Sequence, residues 1–353
     1  MILRGLRAGY VPASQDLSAP SDRRRFPYYA RRRNLTFEIA TPSETYDLVI
    51  LNQSADLSVW HRYRRGNAKI VYDAIDSYLA IPQWNLKGLL RGLSKFVTRQ
   101  SRYLQFSYRK AVQKMCQRSD AVICSTEEQK RQILPFCKNV HIILDFQKSE
   151  VRTTKTDYSR GDVFNFVWEG LASPNRPVFP LLRKVLEPIW PNHKIALHLV
   201  TDLVYGQYHN KYVKRHTVDD IRKVFGDFAK NVYLYQWNSQ LFSIIACACD
   251  LALIPLPMDD PFYAGKPENK IILFWRLGIP VVVSAIPTYE RVMRRCHLPM
   301  ACRTQVEWQQ TLERYMNDEA ARREAGQAGK RFAEEHYSEE RIMECWDNLL
   351  ASL

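Results

Sequence analysis

Two lysines ahead of an apolar segment are the residues of this chain best suited to bind an anion. Lys266 and Lys270 lie in a Gly-Lys-Pro-Glu-Asn-Lys loop, and an apolar helix is predicted over 269–277. The first backbone N–H groups of a helix lack intrahelical partners, and the helix dipole adds partial positive charge there. Two ammonium groups beside such an end predict a phosphate ligand.

A buried strand is predicted to follow this helix. Gly278 is a typical helix-ending residue, Pro280 cannot continue a helix, and the β-branched run Val281, Val282 and Val283 comes next. A continuous apolar strand after a helix is typical of parallel sheets that are covered on both faces. The lysines are therefore predicted to lie on an α/β unit.

Strand and helix signals alternate along most of the chain. Strands are predicted over 7–13, 35–40, 46–52, 69–74, 121–125, 140–144, 164–168, 195–200, 232–235 and 251–255. A helix is predicted over 22–33, with Ser21 as its N-cap and Asp22 in its first turn. Capping boxes are predicted at 125–128 and 304–307, and further helices start at Asp318 and Ser338. The alternation predicts doubly wound parallel sheets.

The Lys-bearing loop, the apolar helix and the sequence Gly278-Ile279-Pro280-Val281-Val282 together resemble the donor-nucleotide segment of GT-B glycosyltransferases. The resemblance is strongest to the retaining, family-4-like branch, also called glycosyl transferases group 1. That family usually carries two glutamates eight positions apart in this segment, and here Gly265 and Leu273 stand at those positions. Glu268 is the nearby carboxylate that could replace the usual ribose contact, although its register differs.

The resemblance implies two Rossmann-like parallel-sheet domains of the α/β class that face a cleft. We expect an acceptor-binding domain over 1–150, a nucleotide-sugar-binding domain over 160–330, and a C-terminal helix within 331–353 that crosses back to the first domain. A length of 353 residues suits two such domains. No Asp-x-Asp metal motif follows a predicted strand, so the expected enzyme uses the nucleotide-sugar as its substrate and needs no metal or other cofactor.

Candidate donor residues come from three places in the second half of the chain. The loop after the strand at 164–168 contains Gly170, which lets the backbone approach a phosphate, and Arg176, its basic residue. Trp237 follows another strand, where the resemblance implies a nucleobase contact; core packing is the alternative. The predicted donor-binding residues are Gly170, Asn175, Trp237, Lys266, Glu268 and Asn269, and Lys270 and Arg176 are predicted to stabilise the departing diphosphate.

Asp76 is the candidate catalytic carboxylate of the first half, because it follows the strand at 69–74. The family often has a His-Asp pair here, and Ile75 stands at the His position. Asp76 either orients a sugar or acceptor, or caps the next helix. If the reaction retains configuration, the leaving phosphate can take the acceptor proton; if it inverts, Asp76 or Asp16 is the candidate base.

The net charge of +14 lies almost entirely in the first half of the chain. Residues 1–150 hold 25 Lys and Arg against 13 Asp and Glu, whereas the rest holds 26 against 24. The stretch 83–118 contains no acidic residue. Five of its basic residues share one predicted helical face opposite apolar residues, mostly leucines; they are Lys87, Arg91, Lys95, Arg99 and Arg102. Such a face suits an anionic membrane surface or is simply solvated. Arg91, Lys95 and Arg99 represent this candidate acceptor or membrane surface.

Composition excludes several other classes of protein. A hydrophobic content of 46% with 25% charged residues is that of a globular chain. The eight cysteines show neither CxxC nor Cys/His metal spacing, which predicts a protein of the reducing cytoplasm. If the basic face binds lipid, we expect the protein to be peripheral on the inner face of the cell membrane. The start of the sequence lacks an apolar signal-peptide core, and no nucleic-acid-binding motif accompanies the arginine clusters.

The sequence therefore predicts a glycosyltransferase that moves a sugar from a nucleotide-sugar to a glycan or lipid-linked acceptor in cell-surface polysaccharide or glycoconjugate synthesis. Two alternatives stay open. One is a catalytically inactive GT-B-fold protein that binds anionic lipid or another acidic partner, which the missing glutamates favour. The other is a phosphorylase or epimerase of similar fold.

Overall fold

The computed structural model describes residues 5–64, 66–82, 96–97, 101–175, 177–207 and 213–353, with Asn175 described by its backbone alone. The chain divides into two compact units. Unit 1 comprises Met1–Phe146, Pro261–Pro267 and Glu339–Leu353, and unit 2 comprises Gln147–Asp260 and Glu268–Ser338. The short segment Pro261–Pro267, which carries Lys266, thus belongs to unit 1, a feature that the sequence did not predict.

Unit 1 contains a parallel sheet of six strands in the order β2-β1-β3-β4-β5-β6. Apolar residues fill the central strands, which are buried along most of their length. The strands are β1 Ala8–Val11, β2 Glu38–Ile39, β3 Leu48–Asn52, β4 Lys69–Asp73, β5 Ala121–Cys124 and β6 Val140–Ile142.

Unit 2 contains a second parallel sheet of six strands, in the order β11-β8-β7-β12-β13-β14, and a separate antiparallel pair, β9 with β10. The strands are β7 Phe164–Glu169, β8 Ile195–Thr201, β9 Val204–Gln207, β10 Val213–His216, β11 Val232–Gln236, β12 Leu251–Ile254, β13 Val281–Ser284 and β14 Ala301–Cys302. The predicted α/β class with two doubly wound parallel sheets is confirmed. The β9–β10 pair was not predicted.

The described helices of unit 1 are α1 Pro20–Arg23, α2 Phe26–Arg32, α3 Leu57–Trp60, α4 Tyr108–Arg118, α5 Glu127–Ile133, α10 Pro261–Ala264 and α15 Glu339–Ala351, with a 3-10 turn at Tyr78–Ala80. Those of unit 2 are α6 Ala172–Asn175, α7 Val178–Leu186, α8 Thr217–Phe225, α9 Phe242–Cys247, α11 Asn269–Arg276, α12 Pro287–Arg295, α13 Gln305–Asn317 and α14 Glu319–His336, with a 3-10 turn at Gly226–Asn231.

Three predicted helix ends are confirmed by their hydrogen bonds. Thr304 and Glu307 form a reciprocal capping box at the start of α13, and the Asp318 side chain accepts from the Ala321 N–H at the start of α14. Gly278 ends α11 in the left-handed region, at φ 75°. Its N–H donates to the Trp275 carbonyl at 2.8 Å, and the Ile279 N–H donates to the Phe274 carbonyl at 3.0 Å, which together form a Schellman motif.

The predicted helix over 22–33 is wrong, because α1 and α2 are separate. Arg25 lies between them at φ −121° and ψ −126°, outside the helical region, with its side chain directed to two aspartates. Pro27 is the second residue of α2, in the first turn of the helix, where its missing N–H costs no hydrogen bond. Ser21 is not the N-cap, since α1 begins after Ala19. Asp22 lies in the first turn of α1 as predicted, and it is buried there.

The predicted capping box at 125–128 is also displaced by one residue. Thr126 is the N-cap of α5 and accepts from the Gln129 N–H at 3.1 Å. Gln129 Oε1 in turn accepts a hydrogen bond from the Ser125 N–H at 2.6 Å. The strand predicted over 35–40 shortens to two residues, Glu38–Ile39, at the edge of its sheet.

The last helix, α15, packs on α2 within unit 1. Tyr28 donates to Glu339 at 2.6 Å and Tyr29 donates to Asp347 at 2.8 Å. The Trp346 ring stacks on Tyr29 with a centroid distance of 5.4 Å. These contacts make the C-terminal helix part of the unit-1 core.

Close packing between α11 and α14 fixes the helix that carries Lys270. A Cβ at Gly326 would overlap the carbonyl oxygen of Gly278 at the end of α11, and one at Gly329 would lie 2.7 Å from Trp275 Nε1 within α11. Because only glycine fits at such distances, the two helices approach more closely than larger residues would allow. Lys270 therefore projects from a helix that is firmly packed in unit 2.

All eight cysteines lie in the described part of the chain, and all are free thiols. No helix among the described residues is long and apolar enough to cross a membrane. Within the same residues, no group of three or more His, Cys, Asp or Glu side chains is arranged to hold a metal ion.

Candidate functional site

The candidate site of unit 2 lies at the carboxyl edge of its sheet. Glu169 is the last residue of β7, Trp237 directly follows β11, and Lys270 is the second residue of α11. Parallel strands bring their carboxyl ends to one edge, where ligands of open α/β sheets bind. The fold thus brings together three side chains that are far apart in sequence.

Lys270 is held by the end of β7. Its Nζ donates to the Glu169 backbone carbonyl at 2.5 Å and lies 3.8 Å from Glu169 Oε2. It also lies 5.0 Å from the centre of the Trp168 ring, which adds a cation–π contact. The Lys270 side chain remains 29% exposed, so its ammonium group is positioned by the protein and still accessible to a ligand.

Gly170 provides the space that Lys270 occupies. A Cβ at position 170 would overlap Lys270 Nζ and would lie 2.9 Å from Trp168 Cζ2. The residue has φ 157°. Gly170 therefore lets the Lys270 side chain approach the backbone. Its predicted role, to let the backbone approach a phosphate, stays a prediction.

Trp237 and Glu169 form a direct hydrogen bond. The indole Nε1 donates to Glu169 Oε1 at 3.0 Å. Glu169 was not among the predicted site residues, although its position as the last residue of a buried strand, directly before a glycine, was a usable signal. Its carboxylate links the residue predicted to contact the nucleobase with the lysine predicted to contact the diphosphate.

Glu268 and Asn269 lie at the start of α11. Glu268 is the N-cap residue, but its side chain does not cap the helix; it accepts a hydrogen bond from the Tyr337 hydroxyl at 3.1 Å. Burial raises the pKa of the Glu268 carboxyl above its ordinary value. The predicted ribose contact of Glu268 stays a prediction, and its observed partner is Tyr337.

The candidate site of unit 1 contains Asp76, which lies beyond the end of β4. Asp76 Oδ1 lies 2.8 Å from Lys266 Nζ, and Gln53 Nε2 donates to Asp76 Oδ2 at 2.8 Å. The Asp76 N–H donates in return to Gln53 Oε1. Lys266 also lies 4.8 Å from the centre of the Phe262 ring. Asp76 is therefore a partly exposed carboxylate that two side chains orient. Ser77 is the N-cap residue of the 3-10 turn that follows it in the described part of the chain.

The loop that carries Lys266 is anchored to the first turn of α5. Gln129 Nε2 donates to the Gly265 carbonyl at 3.2 Å and to Ser77 Oγ at 3.1 Å. A Cβ at Gly265 would lie 2.9 Å from Ser77 Cβ and would overlap Ser77 Oγ. Because a side chain does not fit there, glycine stands at the position where the resembling family has its first glutamate.

A buried ion cluster includes Asp73, which precedes Asp76 closely in the sequence. The Arg25 guanidinium donates to both oxygens of Asp73, at 2.6 and 2.7 Å, and to Asp145 at 2.9 Å. Burial raises the pKa of Asp73, and the Arg25 charge opposes that rise. The predicted arginine triplet at 23–25 is therefore not a uniformly solvated basic surface, because its third member is 1% exposed.

Asp22 organises the loop after β1. Its carboxylate accepts from the Tyr10 hydroxyl at 2.7 Å and from the backbone N–H groups of Ala13 and Ser14, both at 2.9 Å. Asp16, the second candidate base, lies in the exposed loop that follows and accepts from the Ser18 hydroxyl at 2.8 Å. The Ser18 hydrogen bonds lower the pKa of Asp16.

Four predicted site residues lie outside the described residues. They are Arg176 of the donor set and the three residues of the basic surface, Arg91, Lys95 and Arg99. Asn175 ends α6, and its side chain is likewise outside the description. The predictions for these residues stay predictions.

Comparison with known proteins gives structural matches only. No protein-family model and no curated protein sequence matches the chain. A mutant of S. aureus TarM in complex with fondaparinux, α-GlcNAc-glycerol and UDP aligns with a TM-score of 0.59 at 13% identity, over 86% of this chain and 55% of that one. The N-terminal domain of Candida albicans trehalose-6-phosphate phosphatase aligns with a TM-score of 0.56 at 12% identity, over 92% and 73%.

A third structure, from E. coli and bound with UDP-2-fluoro glucose, aligns with a TM-score of 0.52 at 12% identity, over 87% of this chain and 73% of that one. These matches are to GT-B proteins. The chain has the GT-B fold. The predicted GT-B architecture is confirmed, whereas the assignment to the family-4-like branch stays a prediction. The chain spans about half the length of TarM.

In GT-B terms, unit 1 is the N-terminal Rossmann-like domain together with the last helix, and unit 2 is the C-terminal one. The Glu169, Trp237 and Lys270 side chains belong to the C-terminal domain. Asp76 and Lys266 belong to the N-terminal domain, because the segment Pro261–Pro267 is part of unit 1.

Proposed function

We propose that this GT-B protein is a glycosyltransferase that uses a nucleotide-sugar donor. The observation that carries the proposal is the placement of Lys270, whose ammonium is held over Gly170 at the start of α11 and at the carboxyl edge of a parallel sheet. The positive end of the helix dipole and a fixed ammonium together favour a diphosphate. Donor binding is thereby assigned to unit 2.

Uridine diphosphate is the nucleotide to test first. The TarM complex contains UDP and the E. coli structure contains UDP-2-fluoro glucose, and both share the fold of this chain. Trp237, half-buried beside Glu169, offers an aromatic surface for the base.

Lys270 would act by stabilising the negative charge that develops on the departing diphosphate. Preorganised donors of this kind contribute about 3 to 4 kcal/mol each to transition-state stabilisation. Arg176 is proposed as a second such donor on the basis of its sequence position. With these cations no metal is required, and a retaining outcome, in which the leaving phosphate takes the acceptor proton, follows the resembling branch.

Unit 1 is proposed to bind the acceptor. Asp76, oriented by Lys266 and Gln53, is suited to accept a hydrogen bond from a hydroxyl of the sugar or acceptor. The excess of basic residues in 1–150 suits an acidic glycan or a lipid-linked acceptor at the inner face of the cell membrane. We place the enzyme in cell-surface polysaccharide or glycoconjugate synthesis, as a cytoplasmic, peripheral membrane protein.

A thermal-shift panel tests the proposal. UDP, GDP, dTDP, CDP and CMP are each measured with the wild type, with Lys270→Ala, and with Lys223→Ala as a control that removes an exposed lysine of α8. A ligand at about 100 times its Kd adds roughly 2.7 kcal/mol, which is a shift of a few degrees.

We expect one diphosphate to stabilise the wild type and Lys223→Ala but not Lys270→Ala. If none of the five nucleotides shifts the folded wild type, the donor proposal fails. The inactive GT-B protein that binds anionic lipid then becomes the better description, and binding to vesicles that contain phosphatidylserine is its direct measurement.

A further inference from the structure

We infer that Glu169 binds the ribose hydroxyls of the donor nucleotide and is the residue by which the site selects a ribonucleotide. The inference rests on the proposed function, since it assigns one more residue to the same site. It comes from the position of the carboxylate and from its unused hydrogen-bonding capacity.

The Glu169 carboxylate lies between the residue proposed to contact the base and the residue proposed to contact the diphosphate. One carboxylate oxygen, Oε1, bonds the Trp237 indole at 3.0 Å, on the side assigned to the base. The other, Oε2, lies 3.8 Å from Lys270 Nζ, on the side assigned to the diphosphate. The ribose connects base and diphosphate, so the group between Trp237 and Lys270 is placed to meet it.

The carboxylate has acceptor capacity to spare. An ionised carboxylate only accepts hydrogen bonds, and its two oxygens offer about four lone-pair positions. Within the part of the chain that the structure describes, Oε1 accepts one hydrogen bond and Oε2 accepts none, because 3.8 Å is too long for one. The side chain is 12% exposed. A pair of adjacent ribose hydroxyls would supply the missing donors.

Other carboxylates of the segment are less well placed. Leu273, which stands where the resembling family has its second glutamate, is 1% exposed in the apolar core. Glu268 already accepts a hydrogen bond from Tyr337. The Glu169 carboxylate, by contrast, bonds Trp237 through Oε1 and lies 3.8 Å from Lys270 Nζ through Oε2.

Isothermal titration calorimetry with sugar-modified nucleotides tests the inference. The probes are the nucleoside diphosphate that binds the wild type, with UDP measured first, and its 2′-deoxy and 3′-deoxy forms. For the wild type we expect the loss of a hydroxyl to weaken binding by roughly ten- to a hundredfold, as for a hydrogen bond to a charged group. For Glu169→Ala we expect the ribo and deoxy forms to bind with equal Kd.

Two further variants separate a ribose contact from a structural role. Glu169→Gln keeps the shape and one acceptor, and we expect it to discriminate between ribo and deoxy forms several-fold less than the wild type does. Trp237→Phe removes the indole hydrogen bond to Glu169 and keeps a smaller aromatic ring, and we expect the discrimination between ribo and deoxy forms to persist even if overall affinity falls. If Glu169 merely supports Lys270, both Glu169 variants weaken every nucleotide by one common factor and keep the wild-type discrimination, which overturns the inference.

The two levels of the proposal fail differently. A folded wild type that binds no nucleoside diphosphate overturns the proposed function and this inference together. A wild type that binds one of them, with deoxy forms bound as tightly as ribo forms or with discrimination intact in Glu169→Ala, overturns the inference alone.

Discussion

Lys270 lies across Gly170, with its ammonium group in the space that a Cβ at position 170 would fill. The two residues come from different parts of unit 2, the loop after β7 and the first turn of α11. Because Lys270 Nζ also donates to the Glu169 carbonyl at 2.5 Å, the glycine and the lysine act as one structural feature.

The substitution Gly170→Ala should abolish nucleotide binding. The added Cβ would displace Lys270 Nζ and would lie 2.9 Å from the buried Trp168 ring, so we expect about 1 to 3 kcal/mol of destabilisation as well. Gly161→Ala is the control, because a Cβ there meets only the Val163 carbonyl, at 4.0 Å. Calorimetry and thermal melting check both effects, and wild-type nucleotide affinity in Gly170→Ala would contradict the packing that we describe.

The Asp76–Lys266 pair should affect turnover without affecting donor binding. Both residues lie in unit 1, and their charged groups are 2.8 Å apart and half-exposed. For Asp76→Asn we expect kcat to fall by at least about tenfold, while the Kd of the nucleotide stays within about twofold of the wild type.

Lys266→Met should reproduce part of this kinetic loss, because Asp76 would then lose one of the groups that orient it. Stability should change little in either variant, by about 0 to 1 kcal/mol, as for an exposed ion pair. A large loss of nucleotide affinity in Asp76→Asn would instead place Asp76 in the donor site.

Removing the buried Arg25 should destabilise unit 1 strongly at neutral pH. Arg25→Met leaves Asp73 and Asp145 without their shared counter-charge, which costs about 3 to 5 kcal/mol for a buried pair. Arg33→Met is the control; it removes an exposed bridge to Asp347 and should cost less than about 1 kcal/mol.

The loss of unfolding free energy in Arg25→Met, relative to the wild type, should become smaller as the pH falls. Burial raises the native pKa of Asp73, and loss of the Arg25 charge raises it further. An acid whose native pKa exceeds its unfolded pKa binds more protons in the native state, so acidification between those two pKa values favours folding. Urea unfolding of both variants and the wild type at pH 7 and pH 5 measures this. If Arg25→Met loses more unfolding free energy at pH 5 than at pH 7, the pairing of Arg25 with an ionised Asp73 is contradicted.

The cysteines should react slowly in the native protein. Burial raises the pKa of Cys116, Cys124 and Cys249 to about 12, and that of Cys247 and Cys302 to about 11. Since the thiolate is the reactive form, thiol titration at pH 7.5 should be slow when native and rapid for all eight groups in urea. A thiol with the reactivity of free cysteine in native protein would reveal an activated site that burial does not explain.

Local sequence predicted the repeating elements well because their signals lie within a few residues. The alternation of apolar strands and helices predicted both parallel sheets. The Thr304–Glu307 box and the Gly278 helix end were readable for the same reason. Where a local signal was overlooked, as with Pro27 inside the predicted helix over 22–33, the prediction failed.

What the sequence by itself determined was the fold class and the position of Lys270 at a helix start. The tertiary structure decided the partners of that lysine and of Asp76. The Lys270–Glu169 contact spans 101 positions, the Trp237–Glu169 bond 68, and the Lys266–Asp76 pair 190. Contacts of such span depend on strand order and on close packing at glycines such as Gly170 and Gly265, which no local periodicity encodes.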